Sequence, residues 1–457
     1  MWKPDLGSFA GPTYERIAQA LVADIRTAKL RPGTVLPSHR DLAYALGVTV
    51  STVTRAFGEV IRRGLIEASG RRGTRVRGDM AQSSAFGNAP ISLDLRGHQS
   101  PLPDWGDRLR RVMMDAALDA GTNASLAYEA GPGRQEQREA GALWLQQVTG
   151  TKIELSRIVL CNGAQHALLC ALLVTCSSGD HIATERLTYA GLKSIAPVLG
   201  LKLAPIDIDE DGLIPASLDR LCRKGLIKVL VTVPDVHNPT TATQPLKRRK
   251  EIARVAEKHR LTIIEDAVYA GLAPQQTSSI TELTDARAIR IVGLSKTIGP
   301  GLRIGYLDAP VSLINQLVAA LRATSWMASP IQAEIATRLI LDGTAAELLA
   351  ENRQELMRRN RVVEEALAEF DIRTLSTSPH AWLQLPEPWT RESFQTWGQK
   401  SGILTLSADA FAVSREFTDH AIRLSVSAAS SCEALHAGLQ QIADALRNSD
   451  VSTEALA

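Results

Sequence analysis

From residue 91 onward, short apolar runs of strand length alternate with longer helical runs, and this alternation restricts the fold more than any other feature of the chain. Residues 157–161 read as a strand and 164–176 as the helix after it. Residues 229–233 are followed by a helical 246–259, then by an apolar 261–264 that ends at Glu265-Asp266. Residues 288–292 lead into Ser295-Lys296. Strands separated by helices predict a mostly parallel, helix-covered sheet, an α/β fold. Such sheets place ligands beyond the carboxyl ends of their strands.

Those ends hold the unusual residues. The first strand is followed by Asn162-Gly163-Ala164-Gln165, which opens a helix. Free N–H groups at a helix start, with a glycine that permits close approach, make a phosphate site. The second strand leads to the polar turn Asn238-Pro239-Thr240, the third ends at Asp266 with Tyr269 three residues on, and the fourth leads to Lys296 and, seven residues later, Arg303. Each feature is common by itself. Four of them along one sheet converge on one pocket, and their chemistry fits pyridoxal phosphate. Lys296 supplies the amine for a Schiff base with the aldehyde. Asp266 holds the proton on the pyridine nitrogen. Asn238 and Tyr269 donate to the phenolic oxygen, and Tyr189 stacks on the ring. Gly163, Ala164, Gln165, Ser295 and Arg303 receive the phosphate.

The first eighty residues are of another kind. Residues 1–79 carry a net charge of +6 within a chain of only +2. A basic end on a mildly acidic body points to a nucleic-acid module. Residues 14–30 have apolar positions at helical spacing and stop at Arg31-Pro32-Gly33. Ser38 caps a second helix, with Asp41 completing a capping box, and Gly47-Val48 turns into a third helix capped by Thr49. Ser51, Arg55 and Arg62 lie opposite the buried stripe Val53, Phe57 and Val60. Residues 64–77 read as a hairpin with Arg71 and Arg72 at its tip. Helix-turn-helix plus a basic wing is a DNA-binding order. The residues Leu30 to Gly33, Leu36-Pro37-Ser38, Arg40 to Ala43, Leu46 to Val48, Thr52-Val53, Gly64 to Ile66 and Gly73-Thr74 resemble the winged helix of the GntR regulators. By that resemblance Arg40, Ser51 and Thr52 touch DNA, with Arg55, Arg71 and Arg72 as further candidates. Val50 and Thr54 stand where many members carry basic residues, which thins the expected base readout.

Residues 79–90 have small, polar and turn residues without periodicity and read as a linker between a domain at 10–78 and one at 91–457. The five cysteines have no metal or disulfide spacing, so no metal is expected. Without an apolar span or a signal-peptide core the chain reads as cytoplasmic and off the membrane.

The large part resembles the fold-type I aminotransferase domain. The resemblance rests on Tyr128 with Gly131-Pro132-Gly133, Asn162 to Gln165, Asn238 to Thr240, Glu265-Asp266 with Tyr269, Ser295-Lys296 and Gly301 to Tyr306. It departs at Ala267, where a second aspartate is frequent, and at Val236-His237. A GntR-like head on such a body looks like the MocR subfamily of regulators. The resemblance implies a head-to-tail homodimer on operator DNA, Tyr128 reaching the neighbouring subunit's phosphate, and Arg423 gripping an effector's α-carboxylate. The favoured reading is a regulator that senses pyridoxal phosphate or an amine or amino acid that reacts with it. A working aminotransferase with a DNA-binding head, and a DNA-binding scaffold with an inert body, are the alternatives.

Overall fold

A computed structural model describes residues 2–448 except 8, 10, 27–28, 31–33, 63–65, 69–73, 77–91, 103–104, 119–127, 130, 415 and 417–418. Its contacts divide the chain into two compact units, Met1–Phe86 and Gly87–Ala457. The expected linker and the wing tip with Arg71 and Arg72 lie outside the described residues.

In the first unit, α1 (Thr13–Arg26), α2 (His39–Leu46) and α3 (Val50–Arg62) precede an antiparallel pair, β1 (Ile66–Ala68) and β2 (Thr74–Val76). The first helix ends four residues before the expected Leu30. The Ser38 hydroxyl accepts from the Asp41 N–H at 3.2 Å, as a capping residue does. The other half of the expected box is replaced: the Asp41 carboxylate accepts from the Ser38 hydroxyl at 2.7 Å. Gly47 closes α2 at φ 64°, a conformation in which a side chain would be strained. Ile17, Leu21, Leu42, Val53, Phe57, Val60 and Ile66 meet in one apolar core. Phe57 is its largest fully buried side chain. Phe57→Ala is expected to destabilise this unit by about 3–5 kcal/mol, read as an earlier denaturant midpoint for a reporter placed in α3 than for one in the large sheet.

The second unit is built on a seven-stranded sheet. In chain order its strands are β4 (Ile158–Cys161), β5 (His181–Glu185), β6 (Lys202–Ile206), β7 (Ile227–Thr232), β8 (Thr262–Asp266), β9 (Ala288–Gly293) and β10 (Gly305–Asp308), while β3 (Leu93–Asp94) pairs elsewhere. The order across the sheet is β4-β10-β9-β8-β7-β5-β6. Six strands run one way and β10 runs against them. β5, β6 and β10 have no counterpart among the strands expected from the sequence. β10 is four fully buried residues without alternation, between a glycine turn and Pro310, and so carries no strand period. Its direction matters for the site. Gly305 pairs with Cys161 on one side and Gly293 on the other, so the start of β10 lies at the same sheet edge as the ends of β4 and β9. A parallel strand would have carried Arg303 to the opposite edge.

Helices α4 (Ala164–Thr175) and α5 (Leu246–His259) follow β4 and β7, as the alternation predicts. A separate four-stranded sheet contains β11 (Ala381–Gln384) and β12 (Ala421–Leu424), paired antiparallel, and β12 carries Arg423. The short β3 pairs with Ile403–Leu404. No helix among the described residues is long and apolar enough to cross a membrane.

Candidate functional site

The carboxyl edge of the sheet forms a cleft lined by Ala164, Gln165, Tyr189, Asn238, Asp266, Tyr269, Ser295, Lys296 and Arg303, together with Leu168, Val233, Val268 and Pro300. Nine of the side chains expected from the sequence therefore face one space. Gly163 stands behind the Arg303 side of it.

Gly163 is the N-cap of α4 at φ 81°, and the first-turn N–H groups that follow have no acceptor within the helix. A Cβ at Gly163 would lie 3.0 Å from Arg303 Nη2, so a side chain there would displace the guanidinium. A Cβ at Gly305 would come within 2.8 Å of the Ala164 nitrogen. Both glycines let strand, turn and arginine crowd together. Arg303 itself is held at φ 47° after the turn Pro300–Leu302, a strained conformation for a residue with a Cβ. Its Nη1 donates to Ser295 Oγ at 3.4 Å. Helix start, hydroxyl and guanidinium form a cradle for a dianion. Asn162 does not join it: its amide ties the turn to Ser325 Oγ, the Met327 carbonyl and the Ser329 N–H.

Asp266 ends β8, is buried, and accepts from the Val268 N–H at 3.3 Å. Burial pushes its carboxyl up to about 6, against the opposing pull of that N–H and of Lys296, and a second buried carboxylate, Glu185, pushes the same way. Glu185 accepts from Thr232 Oγ1 at 2.5 Å and the Val233 N–H at 3.1 Å, and no motif marks it. Lys296 is lowered to about 8, first by burial and then by Arg423, with Asp266 opposing. The Tyr189 hydroxyl donates to Gln165 Oε1 at 3.1 Å, and its ring covers Gly191, where a Cβ would meet it at 2.2 Å. Asn238 and Arg423 are joined: Nη1 of the arginine donates to Asn238 Oδ1 at 2.9 Å. Arg423 also donates to the Arg96 carbonyl and lies 5.0 Å from the Phe411 ring centre. Tyr269 meets His98, with 3.0 Å between its hydroxyl and Nε2. No sequence motif had pointed to His98 or to its neighbour His380.

Tyr128 is 84% exposed, packs edge-on against Trp326 at 5.9 Å and does not line its own cleft. In the first unit Arg40, Ser51 and Arg55 are exposed and Thr52 is half-buried. Arg55 is engaged: its guanidinium carbon lies 3.8 Å from the Tyr14 ring centre. The Thr49 hydroxyl bonds those of Ser51 and Thr52 at 2.9 and 2.8 Å. Tyr44, 92% exposed on α2, is a further candidate contact outside the expected set. Among the described residues no group of three or more His, Cys, Asp or Glu is placed to hold a metal ion.

Comparison with known proteins finds two families in the chain. Residues 13–76 match the family of bacterial regulatory proteins, gntR family, and residues 92–442 match aminotransferase class I and II. An uncharacterised HTH-type transcriptional regulator of Bacillus subtilis, YdeF, is 31% identical over 96% of this chain and 95% of its own. The vitamin B6 salvage pathway transcriptional repressor PtsJ of Salmonella typhimurium is 26% identical over 93% and 96%. Among solved structures, an archaeal alanine:glyoxylate aminotransferase matches with a TM-score of 0.71 at 23% identity, over 78% of this chain and 90% of that one. A kynurenine aminotransferase of Pyrococcus horikoshii gives 0.70 at 21%, over 80% and 91%. These two show the fold. The cofactor of that fold is pyridoxal phosphate, and the amine, buried carboxylate, stacking ring and dianion cradle of the cleft fit it. With both matches in one order and one relative alike from end to end, the chain belongs to the MocR-type gntR regulators, in which a winged helix precedes an aminotransferase class I and II domain.

Proposed function

We propose that residues 10–78 bind operator DNA, that residues 79–90 link them onward, and that residues 91–457 hold pyridoxal phosphate on Lys296 and answer to an amine or amino acid. The observation that carries this reading is the convergence of Lys296, Asp266, Tyr189 and the Gly163, Ser295 and Arg303 cradle on one cleft, in a chain that also has a winged helix. A bound pyridoxal phosphate supplies an aldehyde carbon that exchanges one amine for another. If an effector amine took its place there, the Lys296 ammonium would stand among Arg423, Asp266 and Arg303, the groups that set its charge in the empty cleft. Such a local change shifts DNA binding only if two states of the protein differ in their affinity for the effector. Arg423 suits an effector carboxylate: it is buried and has no acidic partner among the described residues. A relative that represses a vitamin B6 salvage pathway, PtsJ, supports the cofactor as part of the signal.

On this reading the protein works in the cytoplasm as a head-to-tail homodimer, with Tyr128 offered to the neighbouring cradle. Arg40, Ser51, Thr52, Arg55, Arg71 and Arg72 face DNA. The test is fluorescence anisotropy of a labelled operator fragment with cofactor removed, with cofactor restored, and with amines and amino acids added. DNA affinity that stays constant through all of these sinks the proposal. The intact Arg423 favours a second reading, a working aminotransferase. Sustained turnover of an amino acid with a keto acid, without change in DNA affinity, would establish it.

The lysine also sets a pH window. Only the unprotonated amine attacks an aldehyde. At pH 7 a group lowered to about 8 is roughly 10% free base, against about 0.03% for an ordinary lysine. Cofactor capture by the cofactor-free protein should therefore accelerate up to about pH 8 and level off above it, followed by stopped-flow absorbance. A rate still climbing tenfold per pH unit at pH 9 would contradict the assignment.

A further inference from the structure

His98 belongs to no motif, yet it touches a residue of the cleft. Its Nε2 lies 3.0 Å from the Tyr269 hydroxyl, and its Nδ1 lies 3.2 Å from Ser427 Oγ and 3.3 Å from Ser425 Oγ. The His380 ring is wedged edge-on against both, 5.6 Å from His98 and 5.7 Å from Tyr269. We infer that His98 is a positioning residue: it turns the Tyr269 hydroxyl proton toward the phenolic oxygen of a pyridoxal phosphate held on Lys296, and so lowers the pH at which the Lys296 nitrogen loses its proton. The inference rests on the reading of Lys296 given above.

Burial, with Lys296, Arg423 and His380 nearby, keeps His98 neutral, so its ring carries one N–H. A serine hydroxyl donates or accepts with equal ease. Two arrangements result. In one, a serine donates to Nδ1, the Nε2–H donates to the Tyr269 oxygen, and the phenol proton is free to face the cofactor. In the other, the Nδ1–H donates to a serine and Tyr269 spends its proton on Nε2. An anionic phenolic oxygen needs a donor and selects the first. Donation from Nε2–H also polarises the phenol and strengthens its own bond to the anion. A better-stabilised anion leaves less reason for the neighbouring Lys296 nitrogen to keep a proton. Asp266, Arg303, Arg423 and Tyr189 also face that nitrogen, and they are common to every variant below.

The test uses full-length protein loaded with pyridoxal phosphate, with its absorbance followed against pH. His98→Phe should raise the spectral transition by about half to one pH unit. Tyr269→Phe should raise it at least as far. The double variant should match Tyr269→Phe alone, because His98 acts through the phenol. Additive shifts, or no shift in His98→Phe, overturn the inference. A second measurement needs no variant: the histidine 15N shifts of the loaded wild-type protein should show His98 as the Nε2–H tautomer, and the Nδ1–H tautomer overturns the inference. Borohydride reduction and peptide mass mapping of the wild type separate the two claims. Absence of a cofactor adduct on Lys296 defeats both the lysine reading and this inference, whereas an adduct with an unmoved transition defeats this inference alone.

Discussion

Lys296→Ala will fold, lose the lysine-linked cofactor absorbance, and no longer change its DNA affinity when amines are added. The fold survives because removal of a half-buried ammonium relieves a charge that burial already disfavours. The cofactor loses its covalent attachment but keeps the cradle, so weak binding through the phosphate remains. A drop of about a hundredfold in affinity, about 3 kcal/mol, is the expected scale. DNA binding by the first unit should persist, because Arg40, Ser51 and the core around Phe57 are untouched. What should vanish is the response to amines. Fluorescence anisotropy with and without the amine reads this directly, and absorbance reads the cofactor. A variant that still answers to the same amine with the wild-type shift would show that Lys296 is not the detector.

Asp266, Lys296, Gly163 and Asn238 were legible in the sequence because each follows a strand in a βαβ rhythm, and the rhythm itself says where strand ends gather. Ser38 and Gly47 were legible because caps are local in sequence. Other features were not. β10 is short, buried on both faces and antiparallel, so neither its period nor its direction leaves a trace in the residues. The bonds between Tyr269 and His98 and between Asn238 and Arg423 join residues 171 and 185 positions apart, and nothing local marks either partner. Arg55 was expected on an open DNA-facing surface, and its stacking on Tyr14 arises only when α1 and α3 cross. The exchange of roles at Ser38 and Asp41 is finer still, since a carboxylate three residues on can accept from the hydroxyl or from the backbone at similar distance.

Asp266→Asn is expected to make the cofactor-free protein more stable and the cofactor-bound protein less so. A carboxyl raised from 3.8 to about 6 binds its proton more tightly folded than unfolded. Stability of the cofactor-free wild type therefore falls as pH rises from about 4 to about 6, and the cost at neutral pH is about 3 kcal/mol. Asparagine keeps the shape without the charge. Part of the gain is returned, because Lys296 loses a neighbour that favours its charged form. A net gain of about 1–2 kcal/mol at pH 7 is the expected scale, seen as a Tm higher by about 2–4 °C. The slope between pH 4 and 6 should flatten with it. Bound cofactor reverses the sign. A protonated pyridine nitrogen would give the buried carboxylate an ion-pair partner, and asparagine could not hold that proton. Cofactor affinity should fall by tenfold to about a hundredfold, the worth of a hydrogen bond between charged groups. Thermal shifts with and without pyridoxal phosphate should therefore cross: the variant melts above the wild type when empty and below it when loaded. If the variant melts below the wild type in both states, Asp266 serves the fold rather than the cofactor.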